Sequence, residues 1–223
     1  MTLARLLQLA SPALPVGAYS YSQGLEAAVE SGAVRDAASA GRWIEDVLAF
    51  SVGRFEAPAW HRLYTAWSAH DFDSVRRLDS WFIATRETAE LRAETLQMGY
   101  SLRRLCLEVG EFDRAVLEEL DSFGEIAFPT AYSFAAAQWN LPAREALIAY
   151  LWCWLENQVM AALKAVPLGQ TDGQKLLLRL GGRLDGIADE AAGAEDSMLA
   201  NFAPGLAIAS SRHETQYSRL FRS

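Results

Sequence analysis

The sequence predicts an all-α protein, a single-domain bundle of about eight to ten helices around one central apolar helix. Three observations predict it. Apolar residues recur at helical spacing through most of the 223 residues. No stretch alternates apolar and polar residues over a useful length, and no Asn-Gly hairpin signal occurs. One segment, Ala146 to Leu155, is apolar on every face, as a helix surrounded by protein must be. No unit of roughly 20–50 residues repeats, so the chain reads as one domain over residues 1–223.

Ser20-x-x-Gln23 has the form of a capping box, and Gly32 can end the helix it opens. Asp36 can cap a helix carrying Trp43, Ile44, Val47 and Leu48. Pro58 suits a first helical turn, followed by Trp60, Leu63, Tyr64 and Trp67 on one side. Val75, Leu78 and Phe82 form the next stripe, after the Asp71/Asp73 turn. Ala84, Thr88, Leu91, Thr95, Met98, Leu102, Leu105 and Val109 are spaced by alternating fours and threes, a seam along one helix that Gly110 can stop. Asp113 to Leu120 is a short amphipathic stretch, and Thr130 to Trp139 a small Ala-rich helix ending at Asn140. Pro142 opens the apolar segment, which continues through Glu156, Asn157 and Gln158 and must stop at Pro167. Thr171-x-x-Gln174 has the form of a second capping box, opening a helix through Leu184. Ala191 to Ala207 reads as a loop or weak helix.

Hydrophobic residues make up 51% and charged residues 22%, the balance of an ordinary globular chain. Seven Trp, seven Tyr and ten Phe supply enough buried surface to exclude a wholly disordered chain. A net charge of −8 argues against nucleic acid as main partner, because gripping phosphates requires a cationic footprint. Cys106 and Cys153 form no CxxC pair and read as small core residues in a reducing cytoplasm. Pro12 and Pro15 interrupt any leader-like apolar run near the start. The purely apolar run 146–155 falls short of the ~20 residues a bilayer requires. The expectation is a cytoplasmic protein that contacts no membrane.

Catalytic signatures are missing. There is no GxSxG, no GxxxxGK[ST] and no GxGxxG, and the glycines and lysine of residues 169–175 do not have phosphate-loop spacing. The three histidines, His61, His70 and His213, show no metal-ligand spacing. His213-Glu214 begins like HExxH, but Tyr217 stands where the second histidine belongs. A hydrolase reading would require a pocket in which His213 meets two carboxylates. The carboxylates Glu118, Glu119, Asp121, Asp189 and Glu190 read as solvated faces, whereas Glu156-Asn157-Gln158 interrupts an apolar helix and demands partners, either internal hydrogen bonds or a channel or partner protein.

Three stretches are odd for a simple globule. Leu14 to Gly24 is rigid, aromatic and uncharged. Lys164 to Thr171 sets a lysine beside the end of the apolar helix. Ser211 to Ser223 carries Arg212, Arg219 and Arg222 against Glu214, a net +2 on a remainder at −10. With Tyr217, Leu220 and Phe221 in it, this end either folds back on the acidic body or orders on a partner.

At these stretches the chain resembles the UreF family of urease accessory proteins. The resemblance runs through SPALPVGAYSYSQGLE at 11–26, TRETAELRAETLQMG at 85–99, WLENQVMAALKAVPLGQTDGQ at 154–174 and RHETQYSRLFRS at 212–223, in order along essentially the whole chain. It departs at Leu96, where a charged residue is expected.

The resemblance implies an all-α, typically dimeric protein with no catalysis and no cofactor of its own. It implies binding to the accessory protein UreD (also called UreH), recruitment of the GTPase UreG, which binds the GTP, and delivery of nickel to apo-urease, with the ion passing through the complex. A helical interaction module of some other complex is the alternative that the residues alone allow. The implied partner-binding residues for UreD/UreH are Arg212, His213, Glu214, Tyr217, Arg219, Leu220 and Phe221, within a tail over 208–223. Lys164, Pro167, Gly169, Gln170 and Glu156 are the implied set for UreG or for gating. The tail is expected to be disordered when free and ordered when bound. Lys164 also has a plain role open to it, since a cation in the last turn of a helix favours the dipole.

Overall fold

The helical period dominates the structure as it does the sequence. The computed structural model describes residues 2–223, apart from the Met198 side chain. Of the chain 72% is helical, and no strand occurs among the described residues. In chain order the helices are α1 (Thr2–Leu9), α2 (Leu25–Glu30), α3 (Ala37–Val47), α4 (Ala57–Ser68), α5 (Phe72–Ala84), α6 (Ala89–Val109), α7 (Arg114–Asp121), α8 (Phe128–Gln138), α9 (Ala143–Ala165), α10 (Gln170–Gly181), α11 (Leu184–Gly193) and α12 (Pro204–His213). A π-helical stretch, Leu48–Glu56, joins α3 to α4 as one continuous rod. Pro58 lies just beyond that stretch, where its missing amide falls at a change of hydrogen-bond register.

Local chemistry sets several helix ends. Asp36 and Ser39 form a reciprocal capping box on α3. Asp71 accepts from the Ser74 amide, Thr88 from Leu91 and Asp113 from Ala115. Gly110 closes α6 in the left-handed conformation at φ 65°. Two expected caps form differently. The Ser20/Gln23 box is absent because Gln23 and Gly24 both take positive φ, at 52° and 76°, and α2 starts only at Leu25. Gly24 has to be glycine, since an added Cβ would stand 3.0 Å from the Ser210 amide nitrogen of α12. Helix α10 begins one residue before Thr171, and Gly169 caps it without a side-chain bond. The weak stretch 191–207 resolves into the end of α11, a single 3-10 turn over 196–198 and the start of α12.

Helix α9 runs through the middle as expected, packing on α1, α2, α3, α4, α8, α10 and α11. It is long and apolar enough to cross a membrane, but 61% of its apolar window is buried inside the protein. Helix α8 is buried still more completely, with Phe128 to Ala137 all in the core. Its alanines let α4 and α6 approach closely, so small residues rather than bulk earn it a central place. A smaller cluster of Phe55, Ala59, Phe82, Ile83 and Ala127 lies beside the main core.

Candidate functional site

The loop before α2, the N-terminal half of α6, the C-terminal half of α9 and the last ten residues meet on one side of the bundle. The chain leaves α12 at His213 in a tight turn and then lies across α2 and α6 as a strap, residues 214–223. The tail is therefore packed in the single chain, and of the two alternatives for it the structure shows folding back, in place of disorder. Three acidic residues, Glu26 and Glu94 buried and Glu90 half-buried, supply the reason.

His213 is fully buried, with Nδ1 2.8 Å from Glu90 Oε2 and Nε2 3.2 Å from Glu26 Oε2. Arg219 donates from Nη1 to the other Glu90 oxygen at 2.8 Å, and from Nε to the carbonyl of Gln216. Glu26 Oε1 accepts from the Leu220 amide at 2.7 Å and Oε2 from the Phe221 amide at 3.0 Å. Glu94 accepts from the Ser223 hydroxyl at 3.0 Å and from Gln23 Nε2 at 2.8 Å. Backbone pairs close the strap, from the Arg222 amide to the Ser20 carbonyl and from the Ser22 amide to the Ser223 carbonyl. Glu214 turns away and accepts from the Ala89 amide at 2.9 Å, at the start of α6. Buried carboxylates require donors, and this strap is made largely of donors.

Helix α9 completes the arrangement. Trp154 donates to Gln23 Oε1 at 2.7 Å and Asn157 to the Tyr21 carbonyl at 3.0 Å, so the polar break in the apolar helix is partly satisfied by internal bonds. Gln158 Nε2 is buried and finds no hydrogen-bond partner among the described residues. Lys164 is exposed, with Nζ 5.5 Å from the Phe221 ring and 6.0 Å from the Tyr19 ring. That places the ammonium between the strap and the N-terminal loop, at cation–π range of both. Pro167 and Gly169 in the turn between α9 and α10, and Gln170 at the start of α10, are exposed, and no hydrogen bond among the described residues ties them to the strap.

Under the proline-rich loop 10–19 lies a cavity of about 270 Å³. Glu94, Glu156, Asn157, Cys153 and the pair Glu56–Arg86 supply its polar walls. Arg86 Nη1 meets Glu56 at 2.7 Å, its guanidinium lies 4.3 Å from the Phe82 ring centre, and Tyr150 donates to the second Glu56 oxygen. Glu94 has no such direct cation. Burial pushes its carboxyl up to about 7, against the pull of its bonds from Gln23 and Ser223. Burial also raises Glu156 and pushes the Cys153 thiol up to about 12. His213 does meet two carboxylates, the geometry a hydrolase would need, but it is sealed from solvent and does not line the cavity. No group of three His, Cys, Asp or Glu residues disposed to hold a metal ion occurs among the described residues.

The sequence profile of the UreF family matches residues 34–181. The chain is 57% identical to the urease accessory protein UreF of Dechloromonas aromatica (strain RCB), covering 100% of this chain and 98% of that one. It is 59% identical to the urease accessory protein UreF of Azoarcus sp. (strain BH72), covering 100% and 96%. To that of Methylobacillus flagellatus it is 50% identical, covering 100% and 98%. The chain belongs to the UreF family of urease accessory proteins. The strap and the loop before α2 lie outside the span of the UreF profile, while the full-length UreF relatives extend across both.

Sequence reasoning found Lys164, Glu156 and the tail of this UreF-family chain, and the structure brings them to one side. It missed Glu26, Glu90 and Glu94. A signal was available in the spacing of Glu90 and Glu94, which stand one helical turn apart and so share a face of α6.

Proposed function

We propose that this UreF-family chain is a non-catalytic adaptor of urease maturation. With a UreD/UreH-type protein it recruits the GTPase UreG and couples GTP hydrolysis to insertion of nickel into apo-urease. It works in the cytoplasm as a homodimer within that complex. Nickel is the cargo and GTP belongs to UreG, so the chain holds no cofactor of its own.

The observation that carries the reading is the convergence of all four family-like segments on one side, with Tyr217 and Leu220 of the strap turned outward at 104% and 70% exposure. Exposed aromatic and aliphatic side chains ringed by arginines suit a protein partner. Arg212, His213, Glu214, Tyr217, Arg219, Leu220 and Phe221 are the proposed UreD/UreH-binding segment. Lys164, with Glu156, Pro167, Gly169 and Gln170, is the proposed set serving UreG.

Reconstitution of urease activation with and without this chain, with nickel measured in the product, tests the reading. Nickel loading and GTP dependence should both require the chain. Equal nickel in the two reactions would defeat it. Within the complex, Lys164→Ala should leave assembly intact and change GTP turnover or nickel content. No change in either would leave Lys164 only its place at the end of α9.

A further inference from the structure

We infer that Glu26 is the positioning residue that holds the tail in its partner-binding form. The inference rests on the reading above, that the tail binds the UreD/UreH-type partner, and adds what fixes its shape. Glu26 is 7% exposed and stands in the first turn of α2. Among the described residues, every hydrogen-bond partner of its carboxylate oxygens lies in the C-terminal region: the Leu220 and Phe221 amides, which donate to it, and the His213 ring. Without the tail this buried charge would lose all three, so Glu26 drives tail order as much as the tail satisfies Glu26.

The consequence is a fixed register. Two successive amides pinned to one carboxylate set the backbone at 220–221. Leu220 then faces outward and Phe221 inward, at 6% exposure, under Lys164. A slip of one residue would exchange them, showing the partner a different side chain and burying Arg222. The outward face so fixed is Tyr217 and Leu220 flanked by exposed Arg212 and Arg222. It calls for a partner surface with an apolar pocket and an acidic rim. Holding this face ready removes the ordering cost from the binding step.

The test uses the full-length chain and the purified UreD/UreH-type partner. Calorimetry gives affinity and entropy, and amide hydrogen exchange reports on residues 214–223. Glu26→Gln should speed exchange at Leu220 and Phe221, weaken binding at least tenfold and make the binding entropy more unfavourable, the mark of ordering deferred to binding. Leu220→Ala should weaken binding with exchange elsewhere in the strap unchanged. Should Glu26→Gln fail to fold, Glu26→Asp keeps the charge and withdraws the carboxylate by one methylene, with the same expected result. A Glu26 variant whose strap exchanges faster but binds with unchanged affinity and entropy would overturn the inference, as would one whose strap exchange is unaltered. Deleting residues 212–223 separates the two claims, for undiminished binding after deletion defeats the underlying reading itself.

Discussion

The two halves of α6 meet the rest of the protein through opposite chemistry. Beyond Thr95 the helix packs on α8 by close approach. Gly99 faces the backbone at Ile126–Ala127, and the Thr95 hydroxyl accepts from the Phe128 amide at 3.1 Å. Before Thr95 the same helix turns Glu90 and Glu94 towards the strap. One half is held by shape and the other by matched donors and acceptors. Damage to the first should therefore register in the whole fold, and damage to the second in the strap and in its dependence on pH.

The largest expected effect lies just ahead of the strap half, in the linker before α6. Among the described residues Arg86 is the one cation paired with buried Glu56, and it is stacked against Phe82. Arg86→Met keeps the bulk and leaves the buried carboxylate with no cation and only the Tyr150 hydroxyl as donor. It should cost about 3–5 kcal/mol, the usual price of breaking a buried pair by removing one partner. Urea denaturation checks this, and a loss below about 1 kcal/mol would show that the Tyr150 hydroxyl or a further donor suffices for Glu56. Next comes Gly99→Ala. The new methyl would fall on the Ile126 carbonyl oxygen and 2.8 Å from the Ala127 carbonyl carbon, and backbone cannot step aside as a side chain can. A loss of about 3 kcal/mol is expected, spread over the whole cooperative transition, with strap exchange changed only as global stability changes.

The strap half of α6 carries the pH dependence. An isolated glutamate titrates at 4.5, and burial raises Glu94 to about 7 in the folded protein. Between those values the folded state binds the extra proton, so stability falls as pH rises from about 5 to 8. The favourable contribution is complete below the unfolded value and lost through the folded one. The drop is at most about 3 kcal/mol, from the size of the shift. Glu94→Gln cannot titrate, so its stability should decline less over this range, and the variant should gain on the natural chain at pH 8. Parallel curves for the two proteins from pH 5 to 8 would show that Glu94 does not carry the slope.

The same division decides what the sequence disclosed. The seam from Leu91 to Leu102 was legible, because apolar residues at helical spacing can be placed with no knowledge of what they touch. The stop at Gly110 and the caps at Asp36 and Asp71 were legible for the same reason, as each acts within one turn of its own helix. Glu90 and Glu94 lie off that seam, and nothing in their neighbourhood marks them. Their partners, Arg219 and Ser223, lie more than a hundred residues away, and nothing local tells a solvated glutamate from one awaiting a donor. The Ser20/Gln23 box misled in the converse way. Its local pattern is sound, but the close approach of α12 at Gly24 overrides it. Resemblance to relatives marked the tail and Lys164 as important without showing what held them.

The smallest expected effect tests whether the two halves of α6 are separable at all. Thr88 is the N-cap of α6, and its hydroxyl oxygen accepts from the Leu91 amide at 3.2 Å. The same hydroxyl lies 2.8 Å from Ser210 Oγ on α12, the helix that feeds the strap. Thr88→Ala removes both bonds and should cost about 1 kcal/mol, the ordinary worth of an N-cap. Thr88→Ser keeps the hydroxyl and should recover most of it, whereas Thr88→Asp keeps the cap acceptor and can bond Ser210 only by receiving its proton. If the α12 bond matters, hydrogen exchange at the end of α12 and in the strap should quicken in Thr88→Ala and not in Thr88→Ser. Equal exchange in the two variants, with the stability difference confined to α6, would mean that capping the helix and holding the strap are independent tasks.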